Sequence, residues 1–388
     1  MKFLLAPDSF KGSLTAKEAA LAMERAIRKI LPEAETVILP MADGGEGTVQ
    51  SLIDATQGQR ISERVMNPLM QPVMADYGIL GDGKTAIIEM AAASGLQFVD
   101  EKSKNPLITT TYGTGQLMKS ALDRGIRKII MGMGGSATND GGAGMAEALG
   151  VRFLDEKGRS IARGGGGLSA LAKIDISGLD PRIAETEIII ASDVTNPLVG
   201  EIGASAVFAP QKGANPDMVR QLDDNLRHYA DLIKASLGKE IAEKAGAGAA
   251  GGLSGGLLAF TDATIEKGIE LVIRITGLVE KSKNADYVLT GEGGIDFQTQ
   301  YGKTPMGVAK AAKKANPETV VIALGGYIGE QIESLYQKGI DAIFGILPAA
   351  MPLEQALLSA AANVERTTEN IVRLIKAHKA TEIAKTMI

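Results

Sequence analysis

The stretch from Lys128 to Gly150, KIIMGMGGSATNDGGAGMAEALG, constrains the fold more than any other part of the chain. Residues 129–131 form the short apolar run that is typical of a buried parallel strand, and residues 141–150 carry Ala, Met and Leu at helical spacing. Glycine and small polar residues fill the connection. Glycine lets backbone amides turn toward an anion, and a following helix start adds partial positive charge. The stretch therefore predicts a strand, a phosphate-binding turn and a helix, although a glycine-rich connection without a ligand has the same pattern.

The composition limits the chemistry that such a turn can serve. The 388 residues are enough for two domains, and a formal net charge of −5 gives no general attraction to nucleic acid or to an anionic membrane. With no Cys and only two His, thiolate or His-rich metal sites are excluded and a Ser-His-Asp triad has no supporting motif. Any metal is expected to be a hard cation on oxygen ligands. The N-terminal apolar run is too short for a signal peptide and no later run reaches membrane-spanning length, so we expect a cytoplasmic protein.

The two ends of the chain share an alternation of strands and helices. Lys2–Ala6 and Thr36–Met41 are predicted strands, and Thr15–Ile30 is a predicted helix with apolar residues at helical spacing. The pattern returns at Asp286–Thr290, which is followed by a predicted loop and a helix over Thr304–Ala315. Such alternation is typical of a parallel sheet. We predict an α/β fold in which residues 1–75 and 285–388 form a discontinuous Rossmann-like domain.

The middle of the chain has a different pattern. Extended pieces between Arg60 and Glu89, broken by Pro and Gly, indicate antiparallel strands. Beyond them, Glu187–Ala191 is a predicted strand and Pro216–Leu237 a long amphipathic helix. We predict that residues 76–284 form an inserted α/β domain, with a ligand cleft where the two domains meet.

Two nucleotide-binding fingerprints fail on inspection. Residues 246–251 fit G-x-G-x-x-G, but a charged helical segment precedes them where a strand is required. Gly302-Lys303-Thr304 resembles the end of a P-loop, yet the earlier glycine of that motif is replaced by Phe297. If the protein transfers phosphoryl groups, it does so without a P-loop.

Acidic residues recur at the predicted strand tips, and lysines lie beside the polar glycine loops. The acidic residues are Asp8, Asp43, Glu46, Asp140, Asp193, Glu292 and Asp296, and the lysines are Lys11, Lys212 and Lys303. A single such carboxylate is ordinary capping or turn chemistry, whereas several at one sheet edge indicate a site. Phosphoryl transfer needs oxygen ligands for Mg²⁺, a carboxylate to accept a proton, cations, and backbone amides around the phosphates. The sequence offers all four.

Six segments together resemble the bacterial glycerate kinase family, in its non-P-loop form. They are DSFKGSLTAKEA, ADGGEGT, GGSATNDGG, SDVTNPL, the Gly-Ala run at residues 246–256 and TGEGGIDFQTQYGKTP, and they follow the family's order over essentially the whole chain. The resemblance implies the two-domain fold and a kinase that uses ATP and Mg²⁺ to phosphorylate D-glycerate. It favours O2 as the acceptor, giving 2-phosphoglycerate, over O3. It leaves a monomer and a homodimer open.

The alternatives come from other functional classes. Gly132-x-Gly134-x-x-Ala137 after a strand suggests an NAD(P)-dependent hydroxy-acid dehydrogenase. A non-catalytic metabolite sensor with the same fold is the other alternative.

The motifs also assign candidate site residues. Asp193 is our prediction for the general base, because it lies at a strand tip beside Ser192 and Asn196. Lys11 and Asp43 are predicted to share the catalytic site, with Lys11 and Lys212 directed at the glycerate carboxylate or the transferred phosphate. Substrate binding is expected from Asp8, Ser9, Ser13, Glu46, Asn196, Lys212 and Lys303.

The nucleotide and the metal have their own candidates. The ATP phosphates are expected on one of two loops, the first carrying Gly134, Gly135, Ser136 and Thr138 and the second Gly248, Gly251 and Gly252. Asp43, Glu292 and Asp296 are candidates for Mg²⁺ or for substrate hydroxyls. The family often has Arg where this chain has Gly294, so Lys303 or Lys11 is expected to supply that charge.

Overall fold

The computed structural model describes residues 1–45 and 47–386. The strands are, in chain order, β1 (Lys2–Leu5), β2 (Glu35–Ile38), β3 (Gln59–Met66), β4 (Pro72–Ile79), β5 (Thr85–Glu89), β6 (Lys128–Gly132), β7 (Arg152–Leu154), β8 (Lys173–Asp175), β9 (Glu187–Ala191), β10 (Thr264–Glu266), β11 (Tyr287–Ile295), β12 (Val320–Ile328) and β13 (Ala342–Gly345). The α-helices are α1 (Ala16–Ile30), α2 (Thr48–Thr56), α3 (Ala91–Ser94), α4 (Tyr112–Asp123), α5 (Ala143–Ala148), α6 (Ala204–Phe208), α7 (Pro216–Leu237), α8 (Leu253–Phe260), α9 (Gly268–Thr276), α10 (Leu278–Ser282), α11 (Thr304–Ala315), α12 (Glu333–Tyr336), α13 (Leu353–Leu358) and α14 (Ala360–Thr386).

These elements form two compact units. The terminal unit consists of Met1–Asp43, Gln50–Thr56 and the chain from Ile269 onward. The inserted unit consists of Gly44–Val49 and Gln57–Gly268. Strands and helices occur in both, so the predicted α/β class is confirmed.

The terminal unit is built on a parallel five-stranded sheet with the order β13-β12-β11-β1-β2. Helix α1 begins after Thr15, whose side chain accepts from the amide of Glu18 in a capping box. Its apolar stripe, which includes Met23 and Ile27, joins Phe3 in one buried cluster with side chains of the sheet and of α14. Burying each large apolar side chain contributes about 1.5–3 kcal/mol, so this cluster holds the sheet that carries the loops of the site.

Strand β11 is longer than the sequence pattern indicates. It continues through residues 291–295, where the sequence predicts a loop, because β12 continues beside it and Gly294 pairs with Tyr327. A Cβ on Gly291 would lie 2.4 Å from the carbonyl oxygen of Leu324, so the close approach of these strands requires glycine there. The extension places Glu292 on a strand.

The inserted unit is built on a mixed sheet with the order β10-β9-β6-β5-β4-β3. Strands β5, β6, β9 and β10 are parallel, whereas β3–β4 and β4–β5 are antiparallel, as predicted for the stretch from Arg60 to Glu89. The second segment of this unit begins at Gln57, just before β3. It belongs to the inserted unit because β3 pairs with β4 along its whole length, from Gln59 opposite Ile79 to Met66 opposite Pro72. Strand β6 lies in the sheet interior, which explains its uninterrupted apolar sequence.

Candidate functional site

Asp8 lies immediately beyond β1, at the carboxyl end of the terminal unit's sheet. Its amide donates to the carbonyl oxygen of Gly291 at 2.8 Å, one carboxylate oxygen accepts from the amide of Ser9 at 2.6 Å, and the other accepts from the hydroxyl of Thr304. Burial raises the pKa of Asp8 to about 6, and the negative charge of Asp43 adds to that rise. Asp8 is therefore a fixed carboxylate that can exchange a proton near neutral pH.

Glu292, on the neighbouring strand β11, has a similar environment. Its Oε1 accepts from the hydroxyl of Thr299 at 2.9 Å and lies 3.9 Å from the ammonium of Lys303, which is itself 3.7 Å from Asp296 Oδ1. Burial raises the pKa of Glu292 to about 7; Lys303 and Thr299 oppose the rise, and Asp8 and the Asp43 carboxylate increase it. Strand-edge carboxylates that repel one another beside one lysine form a setting for a cationic ligand or for proton transfer.

The loop after β1 lies against the extended part of β11. A Cβ on Gly293 would lie 3.3 Å from the amide nitrogen of Lys11, and Lys11 is exposed. Within the same loop, Ser13 Oγ donates to the carbonyl oxygen of Phe10 at 2.9 Å. We call the resulting group the carboxylate edge, and it consists of Asp8, Ser9, Lys11, Asp43, Glu292, Asp296, Lys303 and Thr304. Residues 284 or more positions apart in sequence meet there because β1 and β11 are adjacent parallel strands.

The inserted unit has a glycine turn of its own, Gly134–Ser136, which follows β6. Gly134 and Gly135 are exposed, and the residues described by the structure include no acceptor for the amides of this turn. A Cβ on Gly134 would lie 3.9 Å from Gly45 Cα, so the Gly44–Gly45 segment lies beside it. Unpaired amides in an exposed glycine turn are suited to bind phosphate oxygens.

The helix start beyond that turn is occupied by the protein's own carboxylate, which changes part of the expectation for this loop. Buried Asp140 accepts hydrogen bonds from the amides of Thr111, Gly142 and Gly144 at 2.8, 3.1 and 3.2 Å, and from the hydroxyls of Thr110 and Thr111. Burial raises its pKa, and these donors act in the opposite direction. The anion at the start of α5 is therefore Asp140, whereas the amides of the preceding turn have no acceptor within the described residues.

The second predicted phosphate loop, residues 248–252, has a packing role. The amide of Gly248 donates to the carbonyl oxygen of Asn196 at 3.0 Å, and that of Gly252 to the carbonyl oxygen of Gly248 at 3.3 Å. Gly251 has a φ of +65°, and a Cβ there would lie 1.9 Å from the carbonyl oxygen of Thr138. The glycines of this loop thus let it interlock with the loop that follows β6.

The remaining predicted residues of the inserted unit differ in exposure. Asp193 is exposed just beyond β9, and the Asn196 side chain donates to the carbonyl oxygen of Ile202 at 2.8 Å. Lys212 is only 1% exposed, and its Nζ donates to the carbonyl oxygen of Thr138 at 2.7 Å. Glu46, predicted to bind substrate, lies outside the described residues.

Sequence reasoning missed several polar residues near these loops. Glu89, at the end of β5, accepts from the amide of Val49 at 3.1 Å and lies beside Gly132. The sequence analysis predicts Thr304 only as the start of a helix and does not single out Thr111. The signal for Thr304 was its position directly after Lys303, whereas the contact between Thr111 and Asp140 spans 29 residues and has no local signature.

In the terminal unit, parallel strands lead into loops that carry carboxylates and lysines, and in the inserted unit a parallel strand leads into an exposed glycine turn. These features define an α/β protein suited to anionic ligands, without a P-loop. Comparison with known proteins is specific: the model of the glycerate kinase family matches residues 3–376. The chain belongs to the glycerate kinase family.

Relatives match over nearly their full lengths. Glycerate kinases of Halalkalibacterium halodurans and Bacillus subtilis are each 52% identical, covering 97% and 100% of this chain and 99% of each relative. The Escherichia coli protein named glycerate 2-kinase is 49% identical over 96% of this chain and 97% of its own. A crystal structure from Salmonella typhimurium LT2, provisionally named glycerate kinase 2, has a TM-score of 0.90 at 48% identity, covering 98% of this chain and 99% of that one.

The structure also bears on membranes and metals. Within residues 1–45 and 47–386, no helix has both the length and the apolarity needed to cross a bilayer. The same residues contain no group of three or more His, Cys, Asp or Glu side chains arranged to hold a metal ion.

Proposed function

We propose that the protein transfers the γ-phosphoryl group of ATP to O2 of D-glycerate, giving 2-phosphoglycerate and ADP. The observation that carries this proposal is membership of the glycerate kinase family over residues 3–376. The choice of O2 follows the Escherichia coli relative named glycerate 2-kinase, which is 49% identical. We also propose that the reaction takes place in the cytoplasm, as expected for an enzyme that draws on ATP.

The carboxylate edge supports a role in binding glycerate. Lys11 and Lys303 are suited to pair with the glycerate carboxylate or with the charge that develops on the transferred phosphate. Ser9, Ser13 and Asp8 offer hydrogen-bonding groups for the substrate hydroxyls. The acceptor hydroxyl forms the new O–P bond as the bond from the γ-phosphorus to the bridging oxygen breaks, and ADP leaves with that electron pair.

The turn Gly134–Ser136 supports a role in binding the ATP phosphates. Its amides have no acceptor among the described residues, and phosphate oxygens would supply one. In the loop of Gly248, Gly251 and Gly252, by contrast, the amides of Gly248 and Gly252 donate to carbonyl oxygens of the chain, and Gly251 packs on the carbonyl oxygen of Thr138. Of the two candidate loops we therefore favour Gly134–Ser136.

Mg²⁺ is part of the proposal. Glu292 and Asp296 supply carboxylate oxygens, the ligands that this hard cation prefers, and a cation there would relieve the repulsion among Asp8, Asp43 and Glu292. Mg²⁺ commonly uses only one or two protein carboxylates together with substrate phosphates. When bound, it supplies charge neutralisation for the phosphates.

We propose Asp193 as the general base that accepts the proton of the attacking hydroxyl. Asp193→Asn is expected to lower kcat about 100-fold or more, because proton transfer of this kind contributes at least that much. Asp262→Asn, at a carboxylate 92% exposed on the same unit, is the control and should keep normal turnover. If Asp193→Asn is normal while Asp8→Asn is inactive, the base belongs to the carboxylate edge.

Phosphorus NMR of the product formed from ATP and D-glycerate tests the reaction and its regiochemistry together. The expected product carries phosphate coupled to the single proton on C2. Coupling to the two protons on C3 would move the acceptor to O3, and failure to form any phosphoglycerate would reject the proposed activity. Absorbance of NADH with hydroxypyruvate serves as the parallel test for the dehydrogenase alternative.

A further inference from the structure

Lys212 is a charged side chain in the interior of the inserted unit. It ends a short helical turn, Pro210–Lys212, and Gly213 follows with a φ of +96°. Only 1% of the residue is exposed, and burial lowers the pKa of its ammonium group to about 7, against the opposing effect of Asp140. Burying an ammonium group is costly, so its single hydrogen bond within the described residues, to the carbonyl oxygen of Thr138 at 2.7 Å, requires an explanation.

That bond is one of several that hold the chain directly after the turn Gly134–Ser136. The amide of Ala137 donates to the carbonyl oxygen of Ser94 at 3.0 Å, and its carbonyl oxygen accepts from the hydroxyl of Thr109 at 2.8 Å. Lys212 holds the next carbonyl, that of Thr138, on which Gly251 also packs. Three consecutive peptide groups are thus tied to separate parts of the unit.

The next two residues are held in the same way. The Asn139 side chain donates to Ser205 Oγ at 2.9 Å, and Asp140 accepts from the amides at the start of α5. On its other side the turn is fixed by β6, which pairs with β5 and β9. Between these anchors Gly134 and Gly135 are exposed and carry no side chain that could hold the turn.

We propose that Lys212 is a positioning residue which fixes the Thr138 peptide, and through it the turn Gly134–Ser136, so that the turn binds the phosphates of the nucleotide. This role replaces the direct contact with glycerate or phosphate that the sequence suggested for Lys212. It rests on the proposed function only for the identity of the ligand. A glycine turn has many accessible conformations, and holding one of them lowers the conformational entropy lost on binding.

The test compares Lys212→Met with Lys234→Met, whose lysine is exposed on α7 and pairs with Glu240. Methionine keeps the length and apolar volume of the buried stem but cannot donate to Thr138. We expect Lys212→Met to weaken ADP binding about 10-fold by calorimetry and to speed hydrogen exchange of residues 134–144 at least 10-fold. The KM for D-glycerate should stay within twofold of the wild-type value, and the control should change none of these.

Thr109→Val keeps the proposal testable if Lys212→Met does not fold. It removes the bond to the carbonyl oxygen of Ala137, one peptide earlier, with little change in volume. We expect the same pattern at about threefold. A 10-fold rise in the KM for D-glycerate with unchanged ADP affinity and exchange would make Lys212 a substrate ligand and overturn the proposal, as would unchanged exchange in both variants. ADP affinity and exchange need no turnover, so a wild-type protein that fails to phosphorylate glycerate counts against the proposed function alone.

Discussion

The surroundings of the Glu292 carboxylate predict how the free energy of unfolding of the terminal unit changes with pH, in both sign and size. Burial raises its pKa from an ordinary value of 4.5 to about 7. Each pKa unit corresponds to about 1.4 kcal/mol of difference between protonation states, so the ionised form costs the folded terminal unit about 3 kcal/mol. Glu292→Gln keeps an oxygen that can accept from Thr299 and removes the charge.

The sign follows from the direction of the pKa change. Below pH 4.5 the carboxyl group is protonated in the folded and the unfolded chain, and burial carries no ionic cost. As pH rises from 4.5 to about 7, the unfolded chain loses this proton more readily than the folded one, so stability falls. Above pH 7 the loss is complete. The Gln variant lacks this dependence and should exceed the wild type by under about 1 kcal/mol at pH 5 and by about 3 kcal/mol at pH 8.

Urea unfolding followed by circular dichroism between pH 5 and pH 8 gives the difference. Hydrogen exchange of β1 and β11 peptides assigns the transition to the terminal unit, since two units need not unfold together. Glu330→Gln, at an exposed carboxylate of the same unit, is the matched control and should give a pH-independent difference near zero. A Glu292→Gln variant that is equally stable relative to the wild type at both pH values would refute the claim that a buried, repelled carboxylate sits at this edge.

Two further substitutions test the packing around Gly144 and the role of Lys303. Gly144→Ala should destabilise the inserted unit by about 1–3 kcal/mol in urea unfolding, because the new Cβ would lie 2.0 Å from Thr110 Oγ1; Gly345→Ala, whose nearest neighbour atom is 3.6 Å away, should be nearly neutral. Equal stability of the two would contradict the close packing at α5. Lys303→Met should lower kcat for glycerate phosphorylation about 100-fold, because its ammonium is 3.7 Å and 3.9 Å from two carboxylates where phosphate charge would develop. Lys310→Met, exposed on α11, should keep normal activity, and a similar loss there would point to a general charge effect.

Much of the fold was readable from local pattern. The parallel strands β6 and β9 and the helices α7 and α11 follow the apolar periodicity of their own residues, and the structure gives α7 and α11 the predicted bounds. The end of β11 did not follow, because Gly291–Ile295 has no apolar alternation and becomes a strand only through pairing with β12. When pairing with a neighbouring strand determines that a segment is extended, the residue pattern of that segment alone does not predict the strand.

The candidate site likewise has features that the sequence predicts and features that only the tertiary structure determines. Residue types and motif order sufficed to assign the family and to propose Asp8, Lys11, Glu292 and Lys303 as site residues, because those choices depend on which side chains follow which strand. Tertiary structure alone decided which polar groups have partners. It buries Asp140 among five hydrogen-bond donors and Lys212 against a carbonyl oxygen, and within the described residues it gives the amides of Gly134–Ser136 no acceptor. A carboxylate or an amide has the same sequence signature whether it meets water, another part of the chain or a ligand, and that difference arises only from packing.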